Sequence, residues 1–238
     1  AFAINKFRGD SALFREGNDD IAARTGWRAL GIVPFFADAR VLPAEDILDI
    51  GRDGVAAVDD EGKARVKIVV PVIGRIANFD DLDPLRLEPG VTLELIRPGA
   101  PLPGDADVVL LPGSKSTVGD LEFFRRQGWD IDLKAHHRRG GHVLGVCGGY
   151  QMLGKTISDP EGIEGSPGTV EGLGYLDVDT VLTAEKSTVY AEGEHIGSGA
   201  GFSGYEIHIG RTQGADCDRP FANVDGRNEG ATSANGAV

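Results

Sequence analysis

His142-Val-Leu-Gly-Val-Cys147-Gly-Gly-Tyr-Gln-Met-Leu153 reads as a β-strand, a sharp turn and the start of a helix. A G-x-C-x-G sequence at such a turn, here Gly145 to Gly149, is the cysteine form of the nucleophile elbow. Glycines on either side are expected to let the backbone turn without a Cβ clash and to leave the central side chain exposed. The thiol would then stand at a helix N-terminus, where the dipole favours thiolate and free N–H groups can bind an anion. Acyl chemistry needs both. The alternative is a buried cysteine in a Gly-rich turn, because a free Cys behaves as a small hydrophobe.

Strands and helical stretches alternate on either side of this turn. Upstream, Val66–Ile73, Val91–Ile96 and Val108–Leu111 read as strands, and Leu121–His137 as a helix. That alternation predicts an α/β fold built on a mainly parallel, doubly wound sheet. Downstream, Gly172–Leu182, Ser187–Ala191 and Gly201–Ile209 read as strands of a more β-rich half, and Gly226–Val238 as a small, polar tail. Near the start, Ala3–Phe7 and Leu30–Phe35 read as strands around a helix at Ser11–Thr25. Leu42–Asp46 reads as a turn into a short polar helix, and the charged Asp59-Asp-Glu-Gly-Lys63 as a break of the kind that joins domains. The expected division is 1–62 and 63–238.

Composition narrows the class of function. The 238 residues are 41% hydrophobic, enough for a sizeable core, with no apolar run near the ~20 residues of a membrane span. No charged-then-apolar leader opens the chain. Two cysteines in unlike contexts, Cys147 and Cys217, do not form a disulfide framework, which points to a reducing, cytoplasmic compartment. A net charge of -13 argues against nucleic acid and anionic membrane surfaces as partners. No metal site is assigned.

Leu111-Pro-Gly-Ser-Lys-Ser-Thr117 directly follows a strand. In a doubly wound sheet ligands bind beyond the carboxyl ends of the strands, so this loop and Cys147 belong at one edge. N–H groups around Gly113 and Ser114, with that of Gly148, are candidates for an oxyanion hole. By itself the loop reads as an ordinary strand-to-helix turn with Ser or Thr capping the helix. It lacks the glycine spacing of a Walker loop.

A cysteine nucleophile normally needs a base, yet none of the five histidines is a convincing one. His136 and His137 fall at a helix end. His142 opens the strand that leads to Cys147, roughly 16 Å away at the wrong edge. His195 reads as a surface residue in a hairpin turn. Glu206 and His208 share one face of a strand, opposite Ile207 and Ile209, and that face looks either into a cleft or into solvent.

The elbow Gly145–Gln151, the Leu111–Thr117 loop and Gly204-Tyr-Glu-Ile-His-Ile-Gly210 together resemble the class I glutamine amidotransferase domain of the cobyric acid synthase family. Ile4–Asp10, Leu42–Asp46 and Arg75–Leu85 are similar to stretches typical of that family, so the resemblance covers nearly the whole chain. It implies a glutamine-hydrolysing carboxylate–amide ligase of cobalamin biosynthesis. Glutamine would donate ammonia, ATP with Mg2+ would activate each carboxylate, and the corrinoid adenosylcobyrinic acid a,c-diamide would be the partner substrate. By that resemblance Cys147 is the nucleophile, Gly113 and Gly148 supply oxyanion N–H groups, and Gln151 helps hold glutamine. Glu206 and His208 would shape the ammonia exit or a domain contact. The first 62 residues would be the end of a P-loop-type α/β synthetase domain.

The resemblance also implies a fragment. The family's Walker-like loop would precede Ala1, and its catalytic histidine, in a Tyr-x-His-Gly segment, would follow Val238. Competing expectations are the related cobyrinic acid a,c-diamide synthase, an amide ligase acting on cell-wall precursors, and a non-catalytic amidotransferase-fold module.

Overall fold

The structure, a computed structural model, describes residues 1–7, 11–34, 66–184 and 187–238. Two compact units divide it, Ala1–Ala44 and Glu45–Val238. The readings at Leu42–Asp46 and Asp59–Lys63, and the expected boundary at 62/63, lie outside the described residues.

In the first unit β1 (Phe2–Phe7) pairs in parallel with β2 (Ala29–Pro34). Between them a 3-10 turn at Ser11–Phe14 leads into α1 (Arg15–Thr25), which Gly26 ends in the left-handed conformation at φ 68°. A Gly in that position is the common helix stop, since it carries no Cβ penalty.

The second unit is organised by a four-stranded parallel sheet. Its strands are β3 (Val66–Pro71), β4 (Val91–Ile96), β5 (Val108–Leu111) and β6 (His142–Gly145), in the order β4-β3-β5-β6. The short α2 (Asp83–Leu87) connects β3 to β4. The chain therefore reverses its direction of travel between β3 and β5, which places a crevice beyond their carboxyl ends. Val69, Val70 and Val109 are wholly buried, as expected of short apolar strands covered on both faces.

The helical stretch expected at Leu121–His137 is two helices, α3 (Thr117–Arg126) and α4 (Trp129–Arg138). Gly128 breaks the run at φ 76°. The break lets Trp129 turn into the core, where it is fully buried against Phe124 at 5.7 Å and its indole N–H donates to the Ala100 carbonyl at 2.8 Å. The apolar period runs through both helices, so it conceals the stop.

Beyond β6 the chain forms α5 (Gly148–Leu153) and β7 (Thr156–Asp159), then β8 (Gly168–Glu171) and β9 (Asp179–Val181). The single strand expected at Gly172–Leu182 is mostly absent. Its first half instead donates the N–H groups of Leu173, Tyr175 and Leu176 to the carbonyls of Met152 and Leu153. These are orphan acceptors at the end of α5, and satisfying them outweighs the alternating pattern.

β10 (Ser187–His195) and β11 (Gly201–His208) form a hairpin, followed by β12 (Arg211–Gln213), β13 (Ala222–Val224) and β14 (Arg227–Glu229). They complete two further sheets, β12-β9-β7-β8 and β11-β10-β13-β14. The polar tail is packed: Ala231 is buried and Val238 lies against the main core. Among the described residues, no helix is long and apolar enough to cross a membrane.

Leu133 is completely buried in the same core as Trp129. Leu133→Ala is expected to lower stability by about 2–5 kcal/mol, measured as a reduced urea midpoint with unchanged slope.

Candidate functional site

Cys147 stands between β6 and α5 with φ 51° and ψ -115°, a conformation a non-Gly residue adopts only under constraint. The thiol is exposed. The flanking glycines avoid Cβ clashes as expected, although none of them takes positive φ. They permit close approach: a Cβ on Gly149 would stand 2.1 Å from the Leu111 carbonyl oxygen, and one on Gly145 would stand 2.6 Å from the Tyr150 nitrogen. The backbone strain therefore falls on the cysteine itself, while the glycines let α5 press against β5.

The helix behind Cys147 has six residues, fewer than two turns. Its macrodipole is correspondingly small, so individual N–H groups matter more than the helix as a whole. The N–H groups of Gly113, Ser114 and Gly148 donate to no acceptor among the described residues. Gly113 and Gly148 are also buried, where an unpaired N–H is uncommon. A Cβ on Gly113 would lie 3.6 Å from that of Cys147, and one on Gly148 would lie 3.0 Å from the Ser114 nitrogen. The loop after β5 and the elbow thus meet at the thiol. Such a set can accept a developing negative charge beside a sulfur nucleophile.

The loop after β5 is not an ordinary capped turn. Ser116 is the N-cap residue of α3 but makes no side-chain cap bond. Glu164 reaches in from a distant loop instead, accepting from the Val118 N–H at 2.9 Å. Ser114 Oγ donates to Asp120 Oδ2 at 2.6 Å, and Thr117 Oγ1 donates to Gln151 Oε1 at 3.3 Å. None of Thr117, Asp120 and Glu164 is singled out by the sequence reading. Their partners lie 34 to 46 residues away, except for Ser114, whose tie to Asp120 spans six.

Gln151 is buried, and its Nε2 donates to the Ile209 carbonyl at 2.9 Å. Cys147 Sγ faces the Ile207 carbonyl at 3.9 Å. The end of the hairpin therefore reaches the site through main-chain oxygens. Glu206 turns the other way, pairs with Arg227 at 2.7 Å and lines a separate small cavity with Phe202 and Val224. His208 closes β11 opposite Ser187 in register.

A cavity of about 540 Å³ runs along β6 from His142 to Cys147, walled by Tyr150, Leu176, Phe221 and Val238. His195 lines it too and is half-buried rather than a surface residue. Ser198 holds its ring through Nδ1 at 2.8 Å. His136 is engaged elsewhere, its Nε2 on the His142 carbonyl at 2.9 Å. Burial, more than the neighbouring Cys217, pushes the Tyr150 phenol well above its ordinary range and keeps it protonated.

The chain matches the CobB/CobQ-like glutamine amidotransferase domain over residues 67–238. It belongs to that family. Curated cobyric acid synthases from Cereibacter sphaeroides, a Ruegeria species and a Caulobacter species are 59%, 58% and 57% identical over the whole of this chain, which covers 48% of each. The chain thus spans about half the length of the curated relatives it matches. A chain in the solved structure of PurLQS from Thermotoga maritima superposes with a TM-score of 0.54 at 16% identity, covering 73% of this chain and 84% of that one. That likeness shows the α/β fold of the family member and nothing finer.

Burial raises the Asp120 carboxyl above its ordinary 3.8, although bonds from Ser114 Oγ and the N–H groups of Arg75 and Gly74, with the Arg75 charge, pull it down. A native acid with a raised pKa binds its proton more tightly than the unfolded chain does. Between 3.8 and the raised native value this group therefore makes the fold more stable as pH falls, and above that value the cost of the buried charge is complete. Asp120→Asn should remove that slope, measured by urea midpoints from about pH 4 to about pH 7.

Proposed function

We propose that this family member is the glutamine-hydrolysing part of a cobyric acid synthase. The observation that carries the reading is the strained, exposed Cys147 set against the N–H groups of Gly113, Ser114 and Gly148, which have no acceptor among the described residues. Identity of 57–59% to curated cobyric acid synthases across the entire chain favours this enzyme over other amidotransferase-fused ligases.

In the proposed reaction the Cys147 thiolate forms a C–S bond to the carboxamide carbon of glutamine. The carbonyl π electrons move to oxygen, and the resulting oxyanion sits among the three N–H groups. Collapse restores the C=O and breaks the C–N bond, and the nitrogen leaves as ammonia after taking up a proton. Water then cleaves the thioester to glutamate and frees the thiol. The proton donor is assigned, by the resemblance, to a histidine beyond Val238 in a longer parent protein. Gln151 acts by holding Thr117 and the Ile209 carbonyl in place, since both ends of its amide are engaged.

Ammonia then replaces oxygen on corrinoid side-chain carboxylates that ATP, with Mg2+, has activated in the synthetase part of the parent. Residues 1–62 would belong to that part and 63–238 to the amidotransferase. Tying the two activities together shelters ammonia and the activated carboxyl from water.

Cys147→Ala in the longer parent is expected to abolish glutamine-dependent amidation and to spare amidation driven by added ammonium salt, both followed by chromatography of the corrinoid product. Loss of both activities would make Cys147 a structural residue and sink the reading.

A further inference from the structure

We propose that Asp120 is a positioning residue for the oxyanion site, fixing the loop after β5 and the loop after β3 against the Cys147 elbow. The inference rests on the amidotransferase reading above.

Two loops meet beside the thiol. Their main chains are joined at both flanks, with the Ala77 N–H donating to the Gly113 carbonyl at 2.9 Å and the Lys115 N–H to the Arg75 carbonyl at 2.8 Å. Ile76 and Ser114 face each other between these bonds as an isolated antiparallel bridge. In that geometry the Ser114 N–H is left out of the pairing, and its nitrogen stands beside Gly148. What remains to be set is how far the bridged pair leans toward the elbow.

Asp120 supplies that setting. It is 3% exposed, and its carboxylate accepts from Ser114 Oγ at 2.6 Å and from the Arg75 N–H at 3.1 and 3.2 Å. A Cβ on Gly74 would lie 2.9 Å from Asp120 Oδ1, so the loop after β3 packs directly on the carboxylate. Ser114 Oγ in turn accepts from the Ser116 N–H at 2.9 Å. One buried carboxylate on the first turn of α3 thus holds both loops by charge-assisted bonds, which are shorter and stronger than neutral ones. Burial of a carboxylate disfavours its charged form, so a carboxylate used only as filler would be a poor choice here. Bonds made in the resting site and unchanged during reaction keep the donors aimed before the charge appears, which is the condition for electrostatic catalysis.

The test uses the longer parent enzyme and measures glutamate release. Asp120→Asn keeps the volume but places an NH2 donor against Ser114 or the Arg75 N–H. It should lower kcat for glutamine by roughly tenfold or more, with KM altered less than about threefold, because oxyanion donors act on the transition state. Ammonia-dependent amidation and the rate of Cys147 alkylation by iodoacetamide should stay at the wild-type level. Unchanged kcat, or a rise in KM alone, overturns the inference, as does a parallel loss of ammonia-dependent amidation. If Asp120→Asn does not fold, Ser114→Ala decides: it removes the hydroxyl tie to Asp120, together with the local bond from the Ser116 N–H, and should still lower kcat several-fold, and an unchanged kcat overturns the inference. Glutamine hydrolysis that survives Cys147→Ala would overturn the amidotransferase reading instead, whatever Asp120→Asn does.

Discussion

Parallel pairing of β5 with β6, Leu111 opposite Gly145, is the constraint on which the thiol edge of this molecule depends. It ends both strands at one level, so the loops that follow them start side by side. Helix α5 can then lie against β5 only because Gly149 lets the Leu111 carbonyl come closer than any Cβ would allow. A slip of one residue in that pairing would move Cys147 to the other face of the sheet and bury or expose the wrong side chain at every position. The strain at Cys147 is sustained by these contacts, with Leu111 accepting from the Val146 N–H at 3.0 Å and the Cys147 carbonyl accepting from the Gln151 N–H at 3.1 Å. A strained residue of this kind costs on the order of 1–3 kcal/mol and persists only where its surroundings overdetermine it.

Much of this was legible in the residues. The apolar runs at Val66, Val91, Val108 and His142 correspond to the four parallel strands, and the edge they share follows from strand polarity alone. The elbow announces itself because glycine spacing around a cysteine is a local signal. What escaped the sequence has a common character. Gly128 divides a helix whose apolar period continues unbroken on both sides, so periodicity could not reveal it. The stretch after Gly172 alternates like a strand, yet its N–H groups are drawn to helix carbonyls some twenty residues upstream. Tertiary demand overrode local pattern in both places.

The candidate site divides along the same line. Cys147, Gly113, Ser114 and Gly148 are adjacent in space, as their positions after neighbouring strands required. Gln151 is near them as well, its amide bonded to Thr117 and to the Ile209 carbonyl. Glu206 was singled out for sharing a strand face with His208, but alternation names two faces without saying which one meets the site. The hairpin approaches Cys147 through the Ile207 carbonyl, an atom that every residue type possesses. Asp120 and Glu164 look like ordinary surface acids in the sequence. Only the folded chain brings them the backbone N–H groups of Arg75 and Val118, 45 and 46 residues away.

The bridge between the two loops beside the thiol is made of main chain, and this has a consequence for how the site tolerates change. Arg75 and Lys115 flank the bridge, are exposed, and contribute to it only their backbone atoms. The Lys115 side chain is exposed at the rim of the site and is not needed to build it. At Lys115 the side chain can change in charge and length while the donors beneath keep their aim, whereas the Arg75 charge also favours the Asp120 carboxylate. The rim is therefore where recognition of what approaches the site can drift, and the floor is where it cannot.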